Sequence, residues 1–306
     1  MEDFKIIKKF APEPWSKADA FLVEYGGRRL VCKKSRGAER GLVDPDFEES
    51  RLAEIQYREQ LAGYAGNINI PKIVDSDVGL IMEEFVPGER ADNALIKSLS
   101  PAQKDGIIKD MAEFLNFAHQ ATAVRERTVY KSVMFLAGNE SDVASLYERH
   151  IEPKDLRRVK KVLRDARKLQ LHIVENYSVF VHGDLHPANI LYDKADEKLS
   201  LIDCGCARRQ HHNEDMVHPD MVAHDAWCEI LAAVIDLYNK LPKTHPIYYN
   251  KWRIWLLLEY MTYHMQAKLV SVGRYPEKLL RTVYYEKLRP KLRTLDAAFG
   301  IVSGRE

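Results

Sequence analysis

The chain has 306 residues, of which 46% are hydrophobic and 30% charged, with a formal net charge of +1. That length is enough to bury a substantial core and to form two lobes, in the composition range of an ordinary globular enzyme. The near-balanced charge excludes a general electrostatic pull toward nucleic acid or an anionic membrane, so neither is expected as a partner. The most apolar run, residues 254–258, falls far short of the roughly 18 residues a membrane span requires. The first ten residues mix acids and bases and lack a signal-peptide core, and the four cysteines (Cys32, Cys204, Cys206, Cys228) have no disulfide-framework spacing. A cytoplasmic protein with reduced thiols is the expectation.

In chain order, residues 5–10 form a first strand and residues 11–18, with two prolines, a loop. Residues 21–25 and 28–34 read as a hairpin closed by Gly26-Gly27, the residue pair that supplies positive φ in a tight turn. A charged loop leads to a helix from about residue 46 to 64, with Asp44 or Asp46 as its cap. Strands follow at 68–74 and 79–85, and Pro87-Gly88 ends the segment. From Ser100-Pro101, a cap followed by a first-turn proline, the pattern becomes helical, with helices at 107–118, 154–176, 222–241, 248–272 and 276–299. Short strands interrupt them at 178–181, 190–192 and 199–202. Strands with one helix first and helices afterwards define an α+β protein, with a small mainly-β lobe at 1–87 and a larger helical lobe at 88–306.

The chemistry concentrates in VFVHGDLHPANILYD followed by LSLIDCGCA. Two short apolar strands joined by a charged turn at 194–198 bring Asp184, Asn189 and Asp203 to one end. Two carboxylates and an amide oxygen are hard donors suited to Mg²⁺ that also holds phosphate oxygens. Phosphoryl transfer asks for that set: aligned groups, charge neutralisation and a carboxylate beside the attacking hydroxyl.

HGDLHPANIL with LIDCG resembles the catalytic and metal-binding loops of the aminoglycoside phosphotransferase and choline kinase group, within the protein-kinase-like superfamily. The resemblance spans roughly residues 16–230 and implies a two-lobed protein-kinase-like fold that uses ATP and Mg²⁺. It makes Asp184 the catalytic aspartate, His182 a brace of the catalytic loop, and Asn189 and Asp203 the metal ligands. Lys33 resembles the strand lysine that meets the phosphates, with Lys34 on the opposite face. Its acidic partner on the helix is Glu54, with Glu59 as the competitor. The loop before the second strand carries no glycine, and Ser16 there resembles the phosphate-facing serine of antibiotic kinases. The segment LIMEEFVPG resembles the adenine-receiving hinge, with Met82 at the back of the pocket and the backbones of Glu83 and Phe85 reading the adenine edge. Asp225 resembles the helix-start aspartate that anchors the catalytic loop, and equally suits a helix cap.

The implied partner is a small molecule bearing the acceptor hydroxyl. A protein acceptor and a non-catalytic nucleotide-binding module are the alternatives; the sequence after Asp203 has nothing resembling the substrate-segment anchor of protein kinases. From residue 251 onward bases outnumber acids, so an acidic pocket for a polycationic acceptor is not expected.

Overall fold

The computed structural model describes residues 4–11, 18–38, 41–124, 178–210 and 225–242, together with Pro153, Arg157 and Asp215. The expected helices at 154–176, 248–272 and 276–299 lie outside the described residues, as does Ser16. The chain divides into two compact units, one of residues 1–123 with 179–247 and one of 124–178 with 248–306. In the second unit Val124 and Ser178 exchange backbone hydrogen bonds of 2.8 and 2.9 Å.

The first unit begins with a five-stranded antiparallel sheet ordered β1-β2-β3-β5-β4. Its strands are β1 Lys5–Lys9, β2 Ala18–Tyr25, β3 Arg28–Ser35, β4 Ile73–Asp77 and β5 Leu80–Glu84. The β2–β3 hairpin turns at Gly26 and Gly27, whose φ values of 56° and 72° are those a two-residue turn needs and a side chain resists. One face of the sheet buries Val23, Leu30, Cys32, Leu80 and Met82, with Phe4, Phe21, Tyr25 and Val74 packed against them. Cys32 and Met82 are register partners. Because side chains alternate along a strand, both point away from the face that carries Lys33. Met82, expected at the back of the adenine pocket, thus lies on the face opposite Lys33, and Glu83 is the β5 residue beside Lys33.

Helix α1, Pro45–Gln60, is capped by Asp44, whose side chain accepts from the Asp46 N–H. It buries Phe47, Glu54 and Tyr57. The chain leaves the helix at Leu61, earlier than expected, and the strand expected at 68–74 starts only at Ile73, because Pro71 lacks the N–H a ladder needs.

Strand β6 Glu89–Arg90 pairs with β8 Ile190–Asp193, which pairs with β9 Lys198–Leu201. Helix α2, Asn93–Ser98, precedes α3, Pro101–Ala121, which starts in a capping box of Ser100 and Gln103. Strand β7 Val179–Val181 pairs with β10 Arg208–Gln210. Helix α4, Asp225–Lys240, packs against α3, and the Tyr238 hydroxyl lies 3.1 Å from His119 Nδ1. Among the described residues no helix is long and apolar enough to cross a membrane.

Candidate active site

Two loops and one strand build the site. The first loop leaves β7 at His182 and returns to β8 through a single helical turn, Pro187–Asn189. Gly183 makes this path possible: its φ is 76°, and a Cβ there would lie 2.2 Å from the Cys206 carbonyl oxygen. No side chain fits that approach, so the sharp turn brings the His182–Asp184 backbone against the second loop.

His182 is fully buried. Its Nε2 donates to the Ile202 carbonyl at 3.1 Å, and its Nδ1 accepts from the Asp184 N–H at 3.3 Å. One neutral tautomer satisfies both bonds. Burial holds the imidazole below its ordinary range, against the opposing charges of Asp215 and Asp184. The folded state thus resists a proton that the unfolded chain accepts near pH 6.5, so this contribution to stability is present above that value and falls as the pH drops below it. Urea unfolding between about pH 7.5 and 5.5 is expected to show His182→Gln losing less stability than wild type, the difference approaching about 1.4 kcal/mol per pH unit for one proton.

Asp184 is surrounded by its own loop. The Asn189 Nδ2 donates to both the Asp184 carbonyl and Oδ2, each at 2.9 Å, which leaves the Asn189 Oδ1 as the atom suited to a cation. His186 Nδ1 accepts from the Ala188 N–H at 3.2 Å, so its Nε2 carries the proton and points to Asp184 Oδ2 at 3.4 Å. His186 is thus a positioning group beyond those expected from the sequence, although it stands inside the motif.

The second loop follows β9. Asp203 adopts a left-handed backbone, φ 60° and ψ 56°, a region that few non-glycine residues enter and that aspartate tolerates better than most. The Asn189 carbonyl accepts the Ile202 N–H at 3.0 Å, and the Ser50 hydroxyl donates to the Gly205 carbonyl at 3.0 Å. This second loop is thereby tied to the first loop on one side and to α1 on the other.

From β3, Lys33 Nζ reaches Glu54 Oε1 at 2.8 Å, Glu83 Oε1 at 3.3 Å and Asp203 Oδ1 at 3.3 Å. Burial alone lowers the ammonium's proton affinity, but these three carboxylates push it well above its usual range. Lys33 in turn holds the Asp203 carboxyl below the usual carboxylate range. Of the two helix glutamates, Glu54 is the buried one that meets Lys33. The Phe85 N–H donates to the Arg29 carbonyl at 3.3 Å. The donor expected at the adenine edge thus closes the β3–β5 ladder, because β5 pairing runs one residue past the strand end.

The aspartate that receives the amides of the first loop is Asp215. Its carboxylate accepts the His182 and Gly183 N–H groups at 3.0 and 3.1 Å, and the Tyr57 ring meets His182 edge-on at 5.7 Å. Sequence resemblance assigned this role to Asp225, the first residue of α4. Nothing local marks Asp215: it sits in the polar run His211–Met216 without periodicity, and only the fold brings it under the loop. A cavity of about 990 Å³, with a mixed lining that includes Ile55, Arg58, Ile68, Lys72, Val86 and Asp196, contains none of Asp184, Asn189 and Asp203.

Solved structures with this fold include wild-type aminoglycoside 2'-phosphotransferase-IIIa in its GDP complex, at TM-score 0.65 and 15% identity over 95% of this chain and 94% of that one. Another is the ADP-bound aminoglycoside phosphotransferase APH(2'')-Ib, at TM-score 0.59 and 17% identity, with 93% of each chain covered. Macrolide 2'-phosphotransferase MphH from Brachybacterium faecium gives TM-score 0.58 and 15% identity over 90% of each chain. Among curated proteins, a probable casein kinase II subunit alpha homolog of Encephalitozoon cuniculi is 23% identical over 144 residues, 45% of this chain and 43% of that protein's length. The two-lobed, protein-kinase-like α+β architecture is thus common to all three solved structures and to this chain. The pattern of the phosphotransferase enzyme family matches residues 11–248, the stretch that holds every group described above, and the chain belongs to that family.

Proposed function

We propose that this protein transfers the γ-phosphate of ATP to a hydroxyl group of a small molecule. The observation that carries the reading is the convergence of Lys33, Glu54 and Asp203 within 3.3 Å, next to a loop that presents Asp184 with Asn189 hydrogen-bonded to it. Residues 1–87 are then the nucleotide lobe, and residues 88–306 the catalytic and acceptor lobe.

Asp203 and the Asn189 amide oxygen make a hard-oxygen donor pair that fits Mg²⁺, an ion that keeps waters and phosphate oxygens for its other positions. Bound there, Mg²⁺ supplies neutralisation of the phosphate charge. The chain's own groups do the rest. Lys33 offers an ammonium to the phosphates, kept charged by its carboxylate neighbours. Asp184 orients the acceptor hydroxyl and takes its proton as the bond to phosphorus forms. His182 keeps the two loops in register by bonding one from each ring nitrogen.

The solved relatives bear names or contents that point to aminoglycosides and macrolides as acceptors. The excess of bases over acids from residue 251 onward gives a neutral or anionic hydroxyl compound equal standing. A coupled ADP-release screen across aminoglycosides, macrolides, choline-like amines, sugars, nucleosides and casein tests the reading. Turnover on a small-molecule class, absent in Asp203→Ala, supports it. Turnover on casein alone shifts the acceptor to protein, and Mg·ATP binding without any turnover identifies a binding module.

A further inference from the structure

Arg58 has no part in the chemistry described so far, and Glu83 enters it only as one of the carboxylates around Lys33, yet the two are tied to each other and to that lysine. Lys33 Nζ bonds Glu54 Oε1 at 2.8 Å, and Glu54 Oε2 accepts from Arg58 Nη1 at 3.0 Å. Arg58 Nη2 bonds Glu83 Oε2, and Glu83 Oε1 returns to Lys33 Nζ at 3.3 Å. Two cations and two anions therefore alternate in a closed, neutral ring whose side chains are at most 15% exposed. Arg58 is held from outside the ring as well, by the Pro71 carbonyl at 2.7 Å and the Glu54 carbonyl at 3.1 Å. A planar guanidinium fixed at several donors has little freedom to swing.

An ammonium on one carboxylate can pivot about it. Carboxylates arriving from other elements remove that freedom: Glu54 comes from α1, Glu83 from β5 and Asp203 from the loop after β9, and of the last two only Glu83 is buried. Strand β5 runs directly into Phe85 to Gly88, the segment that joins the sheet to the remainder of the unit. We propose that Glu83, braced by Arg58, is a positioning residue for nucleotide binding: it fixes the Lys33 ammonium from the hinge strand as Glu54 fixes it from the helix. This rests on the phosphotransferase reading, in which Lys33 meets phosphate. A purely structural ring would act on folding and on every ligand alike, whereas a positioning ring acts on phosphate through Lys33.

The test is equilibrium titration of the full chain with Mg·ATP and, separately, with adenosine. Glu83→Gln is expected to weaken Mg·ATP about tenfold or more, the usual scale for a lost bond to a charged group, while adenosine affinity stays within about twofold, inside the scatter of such comparisons. In a Lys33→Met background the same change is expected to add nothing, because the group it positions is gone. Where Glu83→Gln fails to fold, Arg58→Met with Glu83→Met replaces the pair by apolar groups, a change that buried ion pairs often tolerate; the same selective loss of Mg·ATP is expected. Equal weakening of both ligands, or full additivity with Lys33→Met, overturns the positioning role. Wild-type protein that binds no Mg·ATP overturns the phosphotransferase reading and this one together. Wild-type binding left unchanged in Glu83→Gln overturns this one alone.

Discussion

Asp184→Asn is expected to lower turnover by about 10³-fold, within the range general-base groups contribute, while leaving Mg·ATP binding and the thermal midpoint close to wild type. The substitution conserves shape. Asp184 Oδ2 receives the Asn189 amide at 2.9 Å and faces His186 Nε2 at 3.4 Å, yet the side chain is still 29% exposed and open to an acceptor. An asparagine retains one oxygen for the Asn189 contact but has no lone-pair site able to take the hydroxyl proton. Lys33 and Asp203 are untouched, so the nucleotide end of the site persists. Single-turnover kinetics on whichever acceptor the screen returns, together with a binding titration, make the comparison. Wild-type turnover in Asp184→Asn removes this residue from the chemistry; loss of Mg·ATP binding relocates it to the metal side.

The second large effect is expected at a residue that touches no reacting group. Asp215→Ala leaves the buried His182 and Gly183 N–H groups without the carboxylate that receives them at 3.0 and 3.1 Å. Each orphaned buried donor costs roughly 1–3 kcal/mol, so a loss of about 3 kcal/mol or more is expected in urea unfolding. Activity falls with it, because the Gly183 turn that sets Asp184 against the second loop loses its anchor. Measuring Asp225→Ala in parallel decides between the two aspartates: a larger stability loss there would return the anchoring role to α4.

Much of the fold is legible in the chain because its signals are local. Gly26-Gly27 between two apolar runs specifies a hairpin whatever lies around it. Alternation along Leu30 to Lys34 puts Lys33 and Lys34 on opposite faces, and the cap chemistry of Asp44 and Ser100 marks two helix starts. Glu54 is indicated by resemblance alone, with Glu59 left open, and the burial of Glu54 against Lys33 separates the two.

The residues whose roles the structure changes share another property. Glu83 and Glu84 are adjacent in an apolar strand, so alternation requires one of them to face inward, but which one, and toward what, depends on the sheet's neighbours. Arg58 stands one helical turn after Glu54, an ordinary surface spacing; only the approach of Glu83 makes it a ring member. The place of Met82 depends on which face of β5 meets the helix, and the pairing register of Cys32 with Met82 decides that.

His182 to Asp203 thus illustrates the division. The sequence by itself determined the α+β order of elements, because strand, turn and cap chemistry depend on neighbours in the chain. Its HGDLHPANIL and LIDCG motifs point to the reaction class through the family they resemble. Only the tertiary structure decided that Asp215 holds the loop, 33 residues after His182, and that Glu83 closes a ring with Arg58, 25 residues before it. Buried polar groups must find partners wherever the fold places them, and chain separation carries no record of which partner that is.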